Sequence, residues 1–126
     1  MSGTLYVVGT PIGNLSDFSP RAIETLQAVD FIAAEDTRVT LKLLNHFDIK
    51  KPLVSYHEHN LRERGLMILH RIQAGENCAV VSDAGMPCIS DPGEDLVRLA
   101  AENGVPAVVI PVPSAAISAL CLSGLS

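Results

Sequence analysis

The sequence predicts an α/β domain with an open, mostly parallel five-stranded sheet and helices on both faces. Five apolar runs have the length of buried strands, and they lie at residues 4–8, 30–34, 53–56, 78–81 and 105–110. A segment with helical spacing follows each run, and strands that alternate with helices favour a parallel sheet. Right-handed crossovers then bring the carboxyl ends of all the strands to one edge.

Caps and helix breakers mark the helix boundaries. Pro20 after Ser19 is typical of a helix start, and Asp36 or Thr37 is the expected cap of the second helix. Gly75 is the expected terminator of the third helix. The expected buried faces of the four helices are Ala22, Ile23, Leu26 and Val29; Leu41, Leu44 and Phe47; Leu61, Met67, Ile68 and Ile72; and Leu96, Val97, Leu99 and Ala100.

Composition limits the classes of function. The 126 residues carry 9 Lys and Arg against 14 Asp and Glu, a net charge of −5, which counts against a domain with an overall basic nucleic-acid face. Six basic residues either form local basic patches for RNA or simply lie on solvated helix faces: Lys42, Lys50, Lys51, Arg62, Arg64 and Arg71. No apolar run approaches the roughly 20 residues of a membrane span, so no membrane contact is expected.

The three cysteines are Cys78, Cys88 and Cys121, an odd number without the spacing of a metal site. Two of them lie in or beside apolar runs, which is typical of buried, reduced thiols. Reduced thiols favour a cytoplasmic location.

The candidate site consists of the polar loops that follow the strands. They occupy residues 10–14, 35–38, 57–60, 82–87 and 111–114. In open parallel sheets, ligands bind outside the carboxyl ends of the strands, so we expect these loops to converge on one site. The first loop has two glycines but matches neither the dinucleotide fingerprint nor the P-loop, and is either a tight turn or a ligand loop.

Two of these loops carry ionisable side chains. Glu35 and Asp36 stand beside Arg38, which is either a helix cap with a surface ion pair or a site that positions a hydroxyl or a cationic ligand. His57 and His59 alternate as metal ligands do on a strand, but no third ligand has recognisable spacing, so no metal is expected. The loops at 83–85 and 113–115 offer backbone donors and little bulk, which suits a flat or zwitterionic cofactor.

Five motifs occur in an order that resembles one family. They are VGTPIGNL at 8–15, AAEDTR at 33–38, SYHEHN at 55–60, VSDAGMPCISDPG at 81–93 and IPVPSA at 110–115. The chain resembles, over essentially its whole length, the N-terminal half of the small-subunit ribosomal RNA methyltransferase I family of the tetrapyrrole methylase superfamily. The resemblance implies a homodimeric, two-domain, S-adenosylmethionine-dependent enzyme that methylates the 2′-hydroxyl of a cytidine in the decoding region of 16S rRNA.

The resemblance also implies a set of cofactor contacts. These fall on Pro11, Ile12, Asp83, Ala84, Gly85, Met86, Ser114 and Ala115. Two residues depart from the family pattern: Met86 replaces the usual Thr, and Val112 replaces the usual Gly. If that Gly site needs a positive φ, the β-branched Val would strain it by about 1–3 kcal/mol.

For the reaction, we predict that Glu35, Asp36 or His57 takes the proton of the hydroxyl, and that Arg38 orients a phosphate or carboxylate. Residues 1–126 are expected to form the N-terminal methylase domain, with the C-terminal domain of the family absent. The segment 115–122 is apolar on nearly every face and is expected to pack against such a second domain; the alternative is an ordinary core helix in a complete small domain.

Two alternatives stay open. One is a member of the same superfamily that methylates a tetrapyrrole carbon or a protein side chain. The other is a non-catalytic fragment that dimerises or binds a partner through its apolar last helix.

Overall fold

The computed structural model describes residues 3–9, 18–57, 59–82 and 93–110. The five strands are β1 (Leu5–Gly9), β2 (Phe31–Ala34), β3 (Leu53–Ser55), β4 (Cys78–Ser82) and β5 (Ala107–Ile110). The four helices are α1 (Pro20–Ala28), α2 (Thr37–His46), α3 (Leu61–Gln73) and α4 (Gly93–Glu102).

The strands form a single sheet in the order β3-β2-β4-β1-β5, and every described strand pair is parallel. This confirms the predicted five-stranded α/β fold. The register sets Gly9 of β1 opposite Ser82 of β4, and Ala34 of β2 opposite Val81 of β4 and Ser55 of β3. The carboxyl ends of these four strands therefore meet at one edge.

Helices cover both faces of the sheet. Leu5 and Val7 pack with residues of α3 and α4 on one face, whereas Val8 packs with residues of α1 and α2 on the other. This alternation follows from the two-residue period of a strand. Because β4 leads into α4 and its neighbours β1 and β2 lead into α1 and α2, adjacent strands send their chains to opposite faces. A crevice opens at the carboxyl edge wherever this happens.

The predicted caps are confirmed. The Ser19 hydroxyl accepts a hydrogen bond from the backbone N–H of Ala22 at 3.0 Å, and Pro20 opens α1. Asp36 is the cap of α2. Gly75, which follows α3, has a φ of 112°, a conformation that suits glycine and ends the helix.

The predicted buried face of α2 is partly wrong. Leu41 is 49% exposed, and the helix instead buries Thr40, Leu43 and Leu44. These three residues form one stripe at i, i+3 and i+4, and Leu41 lies about 110° from its centre. The hydroxyl of Thr40 made this stripe look less apolar than it is.

Two further expectations meet the described residues. Cys78 is a buried free thiol, as predicted, while Cys88 and Cys121 lie outside these residues. Burial raises the pKa of the Cys78 thiol far above its ordinary value, which disfavours the nucleophilic thiolate. None of the helices described here combines the length and apolarity required to cross a bilayer.

Candidate functional site at the carboxyl edge of the sheet

The ends of β2 and β3 bring the four predicted catalytic residues together. Glu35, Asp36, Arg38 and His57 line one open groove of about 650 Å³, which also includes Thr37, Ser55 and His59. The backbone N–H of Tyr56 donates to the Ala34 carbonyl at 2.9 Å, so the two loops leave the sheet side by side. The expected convergence is therefore present for these loops, while the roles of the four residues stay predictions.

Asp36 has a structural role at the start of α2. Its Oδ1 accepts hydrogen bonds from the backbone N–H groups of Arg38 at 3.0 Å and Val39 at 3.4 Å. A carboxylate at this position satisfies two otherwise orphaned helix donors and favours the positive end of the helix dipole. The prediction of a helix cap in this cluster is thus confirmed for Asp36, and only its Oδ2 is available to contact a ligand.

Glu35 lies one residue earlier and is exposed. It makes no side-chain hydrogen bond or ion pair to the residues that the structure describes. Because this carboxylate is committed to no structural contact in that part of the chain, it is better suited than Asp36 to accept a proton from a ligand.

Arg38 extends into solvent with 92% of its side chain exposed. Its Nε lies 3.9 Å from Asp36 Oδ1, a distance and exposure at which an ion pair contributes little. The guanidinium is therefore free to form two parallel hydrogen bonds with a phosphate or carboxylate.

His57 is held by the turn that follows β3. Its backbone N–H donates to Asn60 Oδ1 at 2.9 Å, and its Nδ1 accepts from the backbone N–H of His59 at 3.2 Å. Asn60 Nδ2 also approaches His57 Nε2 at 3.4 Å. A neutral imidazole has one acceptor nitrogen and can accept from only one of these two donors, so the shorter contact assigns Nδ1 as the acceptor and leaves the hydrogen on Nε2.

This arrangement changes the chemistry available to His57. With Nδ1 accepting from the His59 backbone, the Nε2–H is the ring group that can donate a hydrogen bond to a ligand. Asn60, which the sequence did not single out, anchors the turn through further contacts of Nδ2 with the Ser55 carbonyl and hydroxyl oxygens, both at 3.3 Å. Its place at the end of the SYHEHN motif was the available signal.

No group of three or more metal-ligating side chains is found among the described residues. His57 and His59 stack edge to face, with ring centroids 5.7 Å apart. The pair therefore contributes to the turn and gives no support to a metal centre.

The predicted cofactor contacts lie outside the described residues. These are Pro11, Ile12, Asp83, Ala84, Gly85, Met86, Ser114 and Ala115, together with the departure at Val112. The strand ends that precede these residues are described: Gly9 ends β1, Ser82 ends β4 and Ile110 ends β5, and the three strands are neighbours in the order β4-β1-β5. These strand ends lie on the same edge of the sheet as the groove, and β4 is the direct neighbour of β2, which carries one side of the groove.

Of the six candidate basic residues, Arg71 does not belong to this edge. It lies near the end of α3 and binds Glu76 through two hydrogen bonds of 2.8 and 2.9 Å. Its guanidinium also lies 3.7 Å from the centroid of the Phe31 ring. Arg71 therefore makes structural contacts, which count against a place for it in a basic patch that binds RNA.

Comparison with known proteins agrees with the fold and points to one group of enzymes. The family of Tetrapyrrole (Corrin/Porphyrin) Methylases matches residues 4–126. A protein of Synechocystis sp. named "Ribosomal RNA small subunit methyltransferase I" is 56% identical over 124 residues, which is 98% of this chain and 44% of that protein. Its namesake from Halalkalibacterium halodurans is 57% identical over 123 residues, 98% of this chain and 43% of that protein. This chain thus spans less than half the length of these relatives.

Solved structures with the same fold are more distant in sequence. Uroporphyrin-III-C-methyltransferase from Thermus thermophilus superposes with a TM-score of 0.69 at 20% identity, covering 89% of this chain and 48% of that one. Diphthine synthase superposes with a TM-score of 0.71 at 17% identity, covering 87% of this chain and 44% of that one. At these identities the likeness concerns the fold alone.

Proposed function

We propose that this chain, which belongs to the tetrapyrrole (corrin/porphyrin) methylase family, is the N-terminal part of an enzyme that methylates small-subunit ribosomal RNA. In detail, the whole enzyme transfers a methyl group from S-adenosylmethionine to the 2′-hydroxyl of a cytidine in the decoding region of 16S rRNA. It acts as a homodimer in the cytoplasm. The observation that carries this proposal is the 50–57% identity, across nearly the whole chain, with relatives named for that class of enzyme.

The described part of the molecule fits such a cofactor in one respect. β1 and β4 are adjacent strands, and the helices that follow them in the chain, α1 and α4, lie on opposite faces of the sheet, an arrangement at which α/β sheets bind nucleotide-like ligands. Pro11, Ile12, the 83–86 segment, Ser114 and Ala115 would hold the cofactor there. When bound, it supplies an electrophilic sulfonium methyl group.

Glu35 is the group that we assign to the acceptor hydroxyl. A ribose 2′-hydroxyl is a poor nucleophile at neutral pH, and removal of its proton by a carboxylate contributes typically 10²–10⁴-fold to such a rate. Glu35 is exposed in the groove and is not committed to the helix cap, unlike Asp36. Alignment of the hydroxyl with the methyl group contributes at most about 7–11 kcal/mol in well-oriented systems.

His57 and Arg38 position the substrate in this proposal. The Nε2–H of His57 donates a hydrogen bond to a ribose or phosphate oxygen, because Nδ1 is bound to the His59 backbone. Arg38 binds a phosphate of the same RNA strand. Asp36 acts through the cap, which fixes the direction of the first turn of α2 and thereby of Arg38.

The test is methyl transfer by the full-length protein with tritiated S-adenosylmethionine. We expect label to enter small ribosomal subunits that lack the modification, at a ribose that then resists alkaline cleavage of its 3′ linkage. A corrinoid precursor and a protein acceptor serve as the other two substrates. Label in either of them, with unlabelled subunits, would overturn the proposal in favour of the corresponding branch of the superfamily.

A calorimetric titration addresses the non-catalytic alternative. The full-length protein is expected to bind S-adenosylmethionine with measurable heat. A stable dimer that gives no heat would contradict enzymatic function and support a structural role.

A further inference from the structure

A second open groove of about 430 Å³ lies along the outer side of β3. It shares Thr37, Arg38 and Ser55 with the groove that contains Glu35, so the two are continuous. Its other lining includes Leu41, Leu53 and Arg64. We call it the β3 groove.

The two arginines approach this groove from opposite faces of the sheet. Arg38 is in the first turn of α2, which packs with the cluster around Val8, and Arg64 is in the first turn of α3, which packs with the cluster around Leu5. Since β3 is an edge strand between them, the two guanidiniums flank its open side. Two arginines on either side of a groove match the charge of successive phosphates along one strand.

The backbone of β3 adds hydrogen-bonding capacity to the same groove. The Pro52 carbonyl and the Tyr56 N–H both bond to β2. In a parallel ladder alternate residues bond the same neighbour, so Leu53 and Ser55 direct their backbone groups away from β2, toward the open side. The Ser55 carbonyl is already bonded to Asn60 Nδ2.

The β3 groove also has an apolar wall. Leu41 is 49% exposed at a position where the helix would ordinarily carry a polar residue. An apolar side chain beside two arginines matches a nucleotide, which presents a sugar and base next to its phosphate.

We propose that the β3 groove binds the phosphodiester backbone of single-stranded RNA next to the nucleotide that enters the Glu35 groove. Arg38 and Arg64 each contact one phosphate, and Leu41 contacts the intervening sugar or base. This inference rests on the proposed RNA substrate. It explains how a chain with a net charge of −5 holds a polyanion: the cations act locally, at the outer side of one edge strand.

The test measures the salt dependence of binding between the full-length protein and a single-stranded oligoribonucleotide. Each lost phosphate contact on a single strand lowers the slope of log K against log salt by about 0.7. We expect Arg38→Gln and Arg64→Gln each to lower the slope by that amount and to weaken binding several-fold. Lys50→Gln is the matched control, because Lys50 is exposed near the amino end of β3 and its substitution also removes one positive charge.

Arg64→Lys separates the charge from fold damage. This variant keeps the positive charge that faces the phosphate, so its slope is expected to equal that of the wild type, although the bidentate hydrogen bonds of arginine are lost. Unchanged slopes in both Gln variants, or an equal loss in Lys50→Gln, would overturn the proposal.

Methylation of small subunits by the wild type is measured in parallel. Methylation combined with unchanged slopes overturns the β3 groove and leaves the proposed function standing. Slopes that depend on Arg38 and Arg64 without any methylation support the groove and overturn the function. Neither methylation nor RNA binding overturns both.

Discussion

The two edges of the sheet use charged residues in opposite ways. At the amino edge, Arg71 and Glu76 form two hydrogen bonds, and Arg71 stacks on Phe31. Nearby, the Asn77 side chain accepts from the Thr4 N–H at 2.8 Å. The Asn77 N–H in turn donates to Asp30 Oδ2, also at 2.8 Å.

At the carboxyl edge, the charges of Glu35 and Arg38 are exposed. The difference follows from the fold, since loops at the carboxyl ends of parallel strands face the ligand, whereas those at the amino ends close the structure. Charges that satisfy one another contribute to stability, and charges left in an open groove are available for binding. The two edges should therefore respond differently to mutation.

The largest expected effect is that a mutation at the carboxyl edge lowers activity and a mutation at the amino edge lowers stability. In the full-length protein, Glu35→Gln should lower the rate of RNA methylation by about 10²–10⁴-fold, with an unchanged unfolding midpoint. Glu76→Gln should leave the rate unchanged and lower the midpoint. The assignment of Glu35 fails if both variants methylate RNA at the wild-type rate.

Gly3→Ala tests how tightly the amino edge is packed. The Gly3 N–H donates to the Ile72 carbonyl at 2.7 Å, and a Cβ at Gly3 would overlap the backbone carbonyl of Glu76. We expect a loss of about 3 kcal/mol in the free energy of unfolding, measured by urea denaturation. A loss below about 0.5 kcal/mol would show that this edge can shift, contrary to the comparison.

The pH dependence of stability tests the Arg71–Glu76 pair. Hydrogen bonds from Arg71 lower the pKa of Glu76 below its ordinary value, and the same bonds raise the pKa of Arg71. The lowered carboxyl pKa means that this contribution is complete above the ordinary value of about 4.3 and is lost as the pH falls through the folded value. Because the pKa of Arg71 is raised, the guanidinium stays charged and its contribution to stability is lost only at strongly alkaline pH.

Wild type and Glu76→Gln should accordingly differ in urea midpoint near neutral pH and converge as the pH falls through the lowered pKa of Glu76. The double-mutant cycle with Arg71→Gln is the control, because Glu76→Gln should have no pH-dependent effect once Arg71 is absent. A difference that persists unchanged at low pH would assign the effect to another cause.

The smallest expected effect has the opposite sign. A Cβ at Gly65 in α3 would lie 3.5 Å from Leu99 Cδ2 and 3.7 Å from Tyr56 Cε1, both ordinary contacts. Gly65→Ala should therefore raise the free energy of unfolding by about 0.5–1 kcal/mol, since alanine favours the helix interior. Destabilisation in thermal or urea unfolding would show that the packing of Tyr56 against α3 requires a glycine at position 65.

Much of the fold was predictable because its signals are local. Ser19 before Pro20, Asp36 as a cap and Gly75 after α3 act through neighbouring backbone groups, and each lies where the sequence placed it. The meeting of Glu35 with His57 was predictable from topology alone, because parallel strands put all carboxyl ends on one edge.

Other features depend on contacts between distant residues. Arg71 resembled Arg64 in the sequence, and only the approach of Glu76 and Phe31 assigned it to the structural edge. The donor role that we propose for His57 depends on a 3.2 Å contact with a backbone N–H, which no residue pattern encodes. The orientation of α2 was misjudged because a buried Thr40 reads as polar in a one-dimensional pattern.

The central claim is that the carboxyl edge binds the methyl donor and the amino edge only supports the fold. Hydrogen exchange of the full-length protein, with and without S-adenosylmethionine, tests it most directly. We expect added protection at the ends of β1 and β4, around Gly9 and Ser82, and no change around Asn77. Protection centred on Asn77 and Glu76, with none at Gly9 and Ser82, would contradict it.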